Sequence, residues 1–261
     1  MQVEPATKLG DGAGATLWRS RFEVNPSNPL AASDLRDCYQ MHRTVMNGFG
    51  EGGRDRHNVL YRVERRAAGR RAVVLVQSTS RPNWDFLYDR GGGWYLRLPR
   101  TGEPANPLLV DCSRVLEGVA EDDEMEFVLR ANPSRRDAMT GKRVPLDGAT
   151  RQAEWLVARG ERCGFEPTFV HVTSEIAQLG SRGGRGNRNG NGKRTAGPTN
   201  RNRTRGRPNR NAHEITLEGV TFRGRLRVID AAKFRAALVA GVGPGKAYGF
   251  GLLTTRPVKG G

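Results

Sequence analysis

From Glu124 to Val258, short runs of alternating apolar residues and two longer runs with helical spacing follow one another in a fixed order. That order limits the fold more than any single residue does. "EMEFVLRA" has the two-residue alternation of a strand, and Ala149 to Cys163 puts Ala153, Leu156 and Val157 together at helical spacing. "TFVHVTS" predicts a second strand, and "EITLEGVTFRGRLRVI" a long strand or a bulged pair. Asp230 then caps "AAKFRAALVAG", and "AYGFGLLTTRPV" closes the set. The predicted order is β-α-β-β-α-β, the ferredoxin-like arrangement of an α+β protein.

The first half carries a fainter copy. "ATLWRSRFEV" predicts a strand, and Ser33 or Asp34 caps a helix running to Phe49. "NVLYRVER" and "RAVVLVQS" form a strand pair around the Gly-containing "RAAGR". A short helical turn follows over Pro82 to Leu87, and either "GWYLRLP" or "PLLVDCS" supplies the fourth strand. Two tandem ferredoxin-like (RRM-like) domains fit a chain of 261 residues, with boundaries expected at 1–118 and 119–261.

Charge narrows the partner. The chain has 43 Lys and Arg against 27 Asp and Glu, a net +16, which draws polyanions. Ten of those basic residues fall in 181–211, a Gly-, Asn- and Arg-rich stretch without an acid, which leaves about +6 for the remainder. So little of that stretch is apolar that a disordered insertion is expected. It reads either as a solvated loop or as an arm on phosphates. "VTFRGRLRV" is more ordered: Val220, Phe222, Leu226 and Val228 share one face, and Arg223, Arg225 and Arg227 the other, as on a nucleic-acid-binding strand. "NPSRRDAMTGKRVP" adds Arg135, Arg136, Lys142 and Arg143 in a loop or hairpin. No leader-like start and no apolar run of membrane-spanning length is present, so a cytoplasmic protein without a membrane partner is expected.

"SDLRDCYQMHRTVMNGF" places Tyr39 and His42 at i and i+3 on one helix side. At 100° per residue His42 falls near the middle of a stripe of Leu35, Cys38, Tyr39, Val45, Met46 and Phe49. Spacing leaves open whether it is a packed core histidine or an acid–base group. His57, His171 and His213 show no metal-ligand spacing, and Cys38, Cys112 and Cys163 stand far apart, as structural thiols of a reducing compartment do. No metal or cofactor is expected. "GVGPGKAYGFG" is not a nucleotide loop: Ala240 stands where the first Gly is needed, Ala247 where Ser or Thr is needed, and the order is helix, loop, strand. It is either a turn that requires glycine or an anion cradle built on Gly243, Gly245 and Lys246.

The blocks "YQMHRTVM", "VLVQSTSRPNWDFL", "FVLRANPSRRDAMTGKRVPL", "AEWLVARGERCGF" and "FRGRLRVIDAAKFRAALVAGVGPGKAYGFGLL", in that order, resemble the CasE family, the repeat-RNA endoribonuclease and Cascade subunit of type I-E CRISPR systems. The resemblance runs from about Ala15 to Val258, with 181–211 outside it. It implies tandem ferredoxin-like domains, a CRISPR repeat RNA hairpin as substrate and retained product, Cascade subunits as partners, and metal-independent cutting at the 3′ base of the stem. It carries the family's catalytic pair onto His42 and Tyr39. Where some members place a lysine five residues after the histidine, this chain has Asn47, with Arg43 as the nearby alternative cation. A non-cleaving, hairpin-binding scaffold of the same fold is the other reading that the residues allow.

Overall fold

The computed structural model describes residues 16–66, 71–174, 178–182, 213–217 and 219–258. Its first half contains β1 (Trp18–Val24), α1 (Pro29–Arg36), α2 (Cys38–Met46), α3 (Gly53–His57), β2 (Leu60–Arg66), β3 (Arg71–Ser78), α4 (Phe86–Gly93), β4 (Leu108–Asp111) and α5 (Ser113–Glu117). The four strands make one antiparallel sheet in the order β2-β3-β1-β4. The fourth strand is therefore drawn from "PLLVDCS"; "GWYLRLP" contributes only an isolated bridge between Val24 and Leu96.

The single helix expected from Ser33 or Asp34 to Phe49 is two helices, and capping chemistry explains the break. Asn28 caps α1, its Oδ1 accepting from Leu30 N at 2.9 Å and Ala31 N at 3.1 Å, with Pro29 next in the chain. Asp37 has extended backbone angles (φ −121°, ψ 110°), and its Oδ1 accepts from Tyr39 N at 2.8 Å to start α2. Asp34 is no cap. It is buried and accepts from Thr44 Oγ1 at 2.7 Å and Tyr95 OH at 2.9 Å, and pairs with Arg90 at 3.0 Å. One carboxylate thus ties α1 to α2 and to the α4 segment, and it helps burial hold the Tyr95 phenol well above its ordinary range.

The second half contains β5 (Glu124–Ala131), a hairpin of β6 (Ser134–Arg136) and β7 (Arg143–Pro145), α6 (Ala149–Cys163), β8 (Phe165–Ser174), β9 (Gln178–Arg182), β10 (His213–Leu217), β11 (Val220–Val228), α7 (Ala231–Ala240), a 3-10 turn (Lys246–Tyr248) and β12 (Leu253–Pro257). Its main sheet has the order β12-β5-β11-β8, which matches the first sheet once the strands of each half are numbered from one. The molecule is an α+β protein of two such sheets, consistent with tandem ferredoxin-like folds. Of the two readings of "EITLEGVTFRGRLRVI", a long strand or a bulged pair, the structure has the second: β10 and β11 part at Gly219, and β11 shifts register against β8 between Arg225 and Leu226. Except for its first two positions, the basic 181–211 stretch lies outside the described residues. Its hairpin base, β9 paired with β10, packs against α2.

Two apolar cores form. One gathers Phe22, Met41, Val45, Tyr61, Val74, Trp84 and Tyr95 beneath α1 and α2. The other gathers Phe127, Leu129, Trp155, Phe165, Phe222, Leu226 and Phe234, and also draws in Leu17 and Leu116. Each fully buried aromatic ring contributes roughly 1.5–3 kcal/mol through its apolar area.

The halves are joined by buried polar contacts. Arg62 is 4% exposed; its Nη1 donates to the carbonyls of Val128 and Leu252 at 3.1 Å each, and its Nη2 donates to Thr254 Oγ1 at 3.0 Å. Glu64 balances its charge at 2.8 Å. Gln77 Nε2 donates to Leu238 O at 2.5 Å, and Tyr61 OH bonds both Cys38 O at 3.0 Å and Ala247 O at 3.3 Å.

Candidate active site and nucleic-acid interface

Tyr61 places the candidate site. Its hydroxyl fastens the first turn of α2 to the 3-10 turn that holds Lys246, so a helix of one half and the glycine loop of the other meet over β2. Tyr39 and His42 both lie half-buried on α2, and the His42 ring lies near that of Tyr61, centroids 6.5 Å apart and planes at 24°.

The structure moves His42 from the middle of the buried stripe to its edge. The residues of α2 that are fully buried are Cys38, Met41, Thr44 and Val45. Thr44 belongs to that face because its hydroxyl is satisfied by Asp34, a partner ten residues back that an apolar count ignores. Among the described residues neither nitrogen of His42 has a hydrogen-bond partner. His57 is the contrast: it is buried, with Nδ1 at 2.9 Å from Ser80 Oγ and Nε2 at 3.2 Å from Glu51 O. His57 is the satisfied histidine, and His42 has both ring nitrogens uncommitted among the described residues.

Desolvation, and after it the nearby Arg54 guanidinium, hold His42 below the ordinary histidine range. The neutral imidazole is therefore the prevailing form near pH 7. Burial, followed by the same Arg54, also lowers Lys246. Arg54 thus acts on both groups from α3, where its Nη1 donates to Val59 O at 3.4 Å, two residues before Tyr61. Sequence reasoning missed this residue because α3 carries no periodic signal, and proposed the exposed Arg43 of α2 as the spare cation. Burial raises all three thiols, Cys38 to about 11, so none is a ready nucleophile. Among the described residues no cluster of three or more His, Cys, Asp or Glu side chains is placed to hold a metal ion.

The loop after α7 needs its glycines to fold. Gly241, Gly243, Gly245, Gly249 and Gly251 all have φ between +78° and +87°. A Cβ on Gly243 would also stand 2.8 Å from the Trp155 ring. The loop ends on buried Phe250, whose ring lies under Arg130 at 4.8 Å. Lys246, half-buried, is its only cation.

The other basic residues fall into two groups. Arg135, Arg136, Lys142 and Arg143 are all exposed on the β6–β7 hairpin. Asp137 stiffens its turn, with Oδ1 accepting from Thr140 N and Thr140 Oγ1 at 2.8 Å each. On β11, Val220, Phe222, Leu226 and Val228 are buried and Arg223, Arg225 and Arg227 exposed, as the alternation predicts. Arg227 is already committed, to Asp122 at 3.0 Å and Glu166 at 2.9 Å.

Two half-sheet units joined over a histidine–tyrosine helix, a lysine-bearing glycine loop and exposed arginine strands define an α+β protein with a candidate acid–base site beside basic surface. A profile of CRISPR-associated proteins matches residues 17–257. The CRISPR-associated endoribonuclease Cse3 of Thermus thermophilus is 33% identical over 258 residues, 92% of this chain and 100% of that protein. The solved structure of Thermus thermophilus Cse3 bound to an RNA representing a pre-cleavage complex matches with a TM-score of 0.66 at 29% identity, over 93% of this chain and 100% of that one. CRISPR-associated Cas6e from Escherichia coli shares the fold, with a TM-score of 0.54 at 21% identity over 93% and 100% of the two chains. The chain belongs to the CasE (Cse3) family of CRISPR-associated proteins.

Proposed function

We propose that this protein is a cytoplasmic, metal-independent endoribonuclease that cuts CRISPR precursor RNA at the 3′ base of the repeat stem-loop and stays on the product hairpin, with Cascade subunits as protein partners. The observation that carries the reading is His42: half-buried, its ring nitrogens without partners among the described residues, on the same helix as Tyr39 and beside the loop that holds Lys246. Membership of the family supports it, since the Thermus relative is named as an endoribonuclease and has been solved with RNA.

RNA brings its own nucleophile, the 2′-OH next to the scissile phosphate. The protein's task is to align that oxygen with the departing 5′ oxygen, move two protons and stabilise charge on the phosphate. His42 is the principal proton-transfer group, an imidazole whose protonated form desolvation and then Arg54 disfavour. Tyr39, one turn earlier, orients the 2′-OH or the phosphate. Lys246 and the loop amides around Gly243 and Gly245 face the phosphate, and Arg43 the neighbouring backbone. Arg135, Arg136, Lys142 and Arg143 follow the stem through the exposed hairpin, while Arg223 and Arg225, with Arg227 at the end of the row, add a second basic surface. Bond making at 2′ and bond breaking at 5′ leave a 2′,3′-cyclic phosphate, or its opened form, and a 5′-OH.

A repeat hairpin RNA carrying one 2′-deoxy substitution on the 5′ side of the scissile bond tests this. The unmodified RNA is cut in the presence of EDTA and the substituted RNA is bound but left whole. Tight binding of the unmodified RNA without any cut would instead establish the non-cleaving scaffold.

A further inference from the structure

A ferredoxin-like sheet buries one face under its helices; on the second sheet the other face is met by Arg62 of β2 at Val128 and Thr254, and it is exposed toward β8 and the middle of β11. In the second half the open face carries Phe169, His171 and Thr173 from the edge strand β8 and Arg223 and Arg225 from its neighbour β11. The register sets Arg225 opposite Phe169 and Arg223 opposite His171, and all four side chains are exposed. Phe169 is 63% exposed, and it is the only large hydrophobic side chain left exposed on the four strands of that sheet. A Cβ at Gly224, between the two arginines, would stand 1.8 Å from the Phe169 carbonyl, so the two strands approach closely just behind the ring.

Charge distinguishes this pair of rungs from the next. Arg227 is occupied by Asp122 and Glu166, and Arg256 on β12 by Glu126, whereas Arg223 and Arg225 form no ion pair among the described residues. A lone exposed ring flanked by two free guanidiniums and an imidazole is a poor seat for an extended apolar protein surface. It suits a nucleotide, whose base has a flat face for the ring and whose phosphate accepts from the guanidiniums. The two rungs stand about 7 Å apart along the strands, room for consecutive nucleotides of an extended chain. A base inside a stem has both faces covered by its neighbours, so the ring can take only an unpaired one.

We propose that this open face binds a short unpaired stretch of RNA flanking the repeat stem, with a base stacked on Phe169 and phosphates held by Arg223 and Arg225. It is a second RNA site, built on strands β8 and β11, whereas the cutting site is built on α2 and the glycine loop. The proposal rests on the substrate class proposed above and adds to it the recognition of single-stranded flank.

The test compares equilibrium binding of the stem-loop alone with binding of the stem-loop carrying its single-stranded flanks, at one fixed salt concentration. The wild-type protein is expected to bind the flanked RNA roughly tenfold or more tightly. Phe169→Ala loses most of that gain and keeps the affinity for the bare stem-loop, Phe169→Trp retains the gain, and flanks made of abasic residues, with phosphates but no bases, lose it with the wild-type protein. A wild-type gain that survives Phe169→Ala, or the absence of any gain from flanks, overturns the second site. So does an equal fall for both RNAs, which would put the ring in the stem interface. Failure of the wild-type protein to bind the bare stem-loop at all would instead contradict the proposed function.

Discussion

At the scale of single residues, the two histidines of the first half have opposite surroundings. His57 spends both ring nitrogens on Ser80 and Glu51, whereas His42 spends neither on a described residue. The inflection that His42 gives to the pH–rate profile should therefore lie below the ordinary histidine value, since desolvation and Arg54 both disfavour its protonated form. Arg54 from α3 and the Tyr61 ring from β2 lie near it, and its helix packs against the 3-10 turn that holds Lys246. Arg54→Ala removes one of the two depressing causes and should move the inflection upward, toward ordinary histidine, in single-turnover cleavage across pH. An unmoved inflection contradicts the electrostatic link. In the sequence, spacing put His42 and Tyr39 on one helix side and left their role open, the family resemblance supplied the pairing, and neither pointed to Arg54. A five-residue helix has no period to read, and its charge matters only because the chain folds back over Val59.

Among the elements, the split of the expected helix into α1 and α2 shows what periodicity leaves out. Ser33 and Asp34 have the chemistry of helix caps, and so does Asn28; local composition does not rank them. Asn28 wins because Pro29 follows it and suits a first helical position. Asp34 then falls inside α1, where Thr44, Tyr95 and Arg90 satisfy its carboxylate. Asp34→Ala should cost about 3 kcal/mol, since it takes the acceptor from two buried hydroxyls, Thr44 and Tyr95, and the counter-charge from the partly buried Arg90. Urea unfolding followed by tryptophan fluorescence measures it, and a change under about 0.5 kcal/mol would show that the three partners find water instead. The apolar and basic faces of β11 were legible from Phe222 to Val228, whereas Thr221 is buried against the alternation and α6 buries Gln152 and Trp155 and leaves Val157 exposed. A bulged pair is one of the two readings of the β10–β11 stretch, and the structure has the break at Gly219 and the bulge after Arg225, whose positions answer to the partner strands.

For the whole molecule, the order β-α-β-β-α-β appeared twice in the sequence and appears twice in the structure, with matching strand orders. How the two units meet was not legible. A buried arginine in mid-strand reads as an anomaly, yet Arg62 reaches Val128, Leu252 and Thr254 across the junction. Arg62→Ala should lower stability by about 3 kcal/mol and loosen the two halves from each other, since it removes a buried cation paired with Glu64 and the donor to Leu252 O, while Val128 O keeps the Thr254 hydroxyl. Calorimetry should show a lower and broader transition; an unchanged one would mean that the junction rests on apolar packing alone. The basic stretch enters through the β9–β10 hairpin that packs on α2. Replacing residues 183–212 by a short turn should reduce the slope of log affinity for the repeat RNA against log salt, and an unchanged slope would free that stretch from any part in RNA binding.

The proposed function rests on His42 as the group that moves protons during cleavage. Single-turnover cutting of the repeat hairpin by wild type and by His42→Ala, in EDTA and with hairpin affinity measured alongside, tests that claim most directly. The account predicts a rate lowered by about 10²–10⁴-fold with affinity nearly unchanged. A His42→Ala protein that cuts at the wild-type rate, or that loses hairpin binding together with its fold, contradicts it.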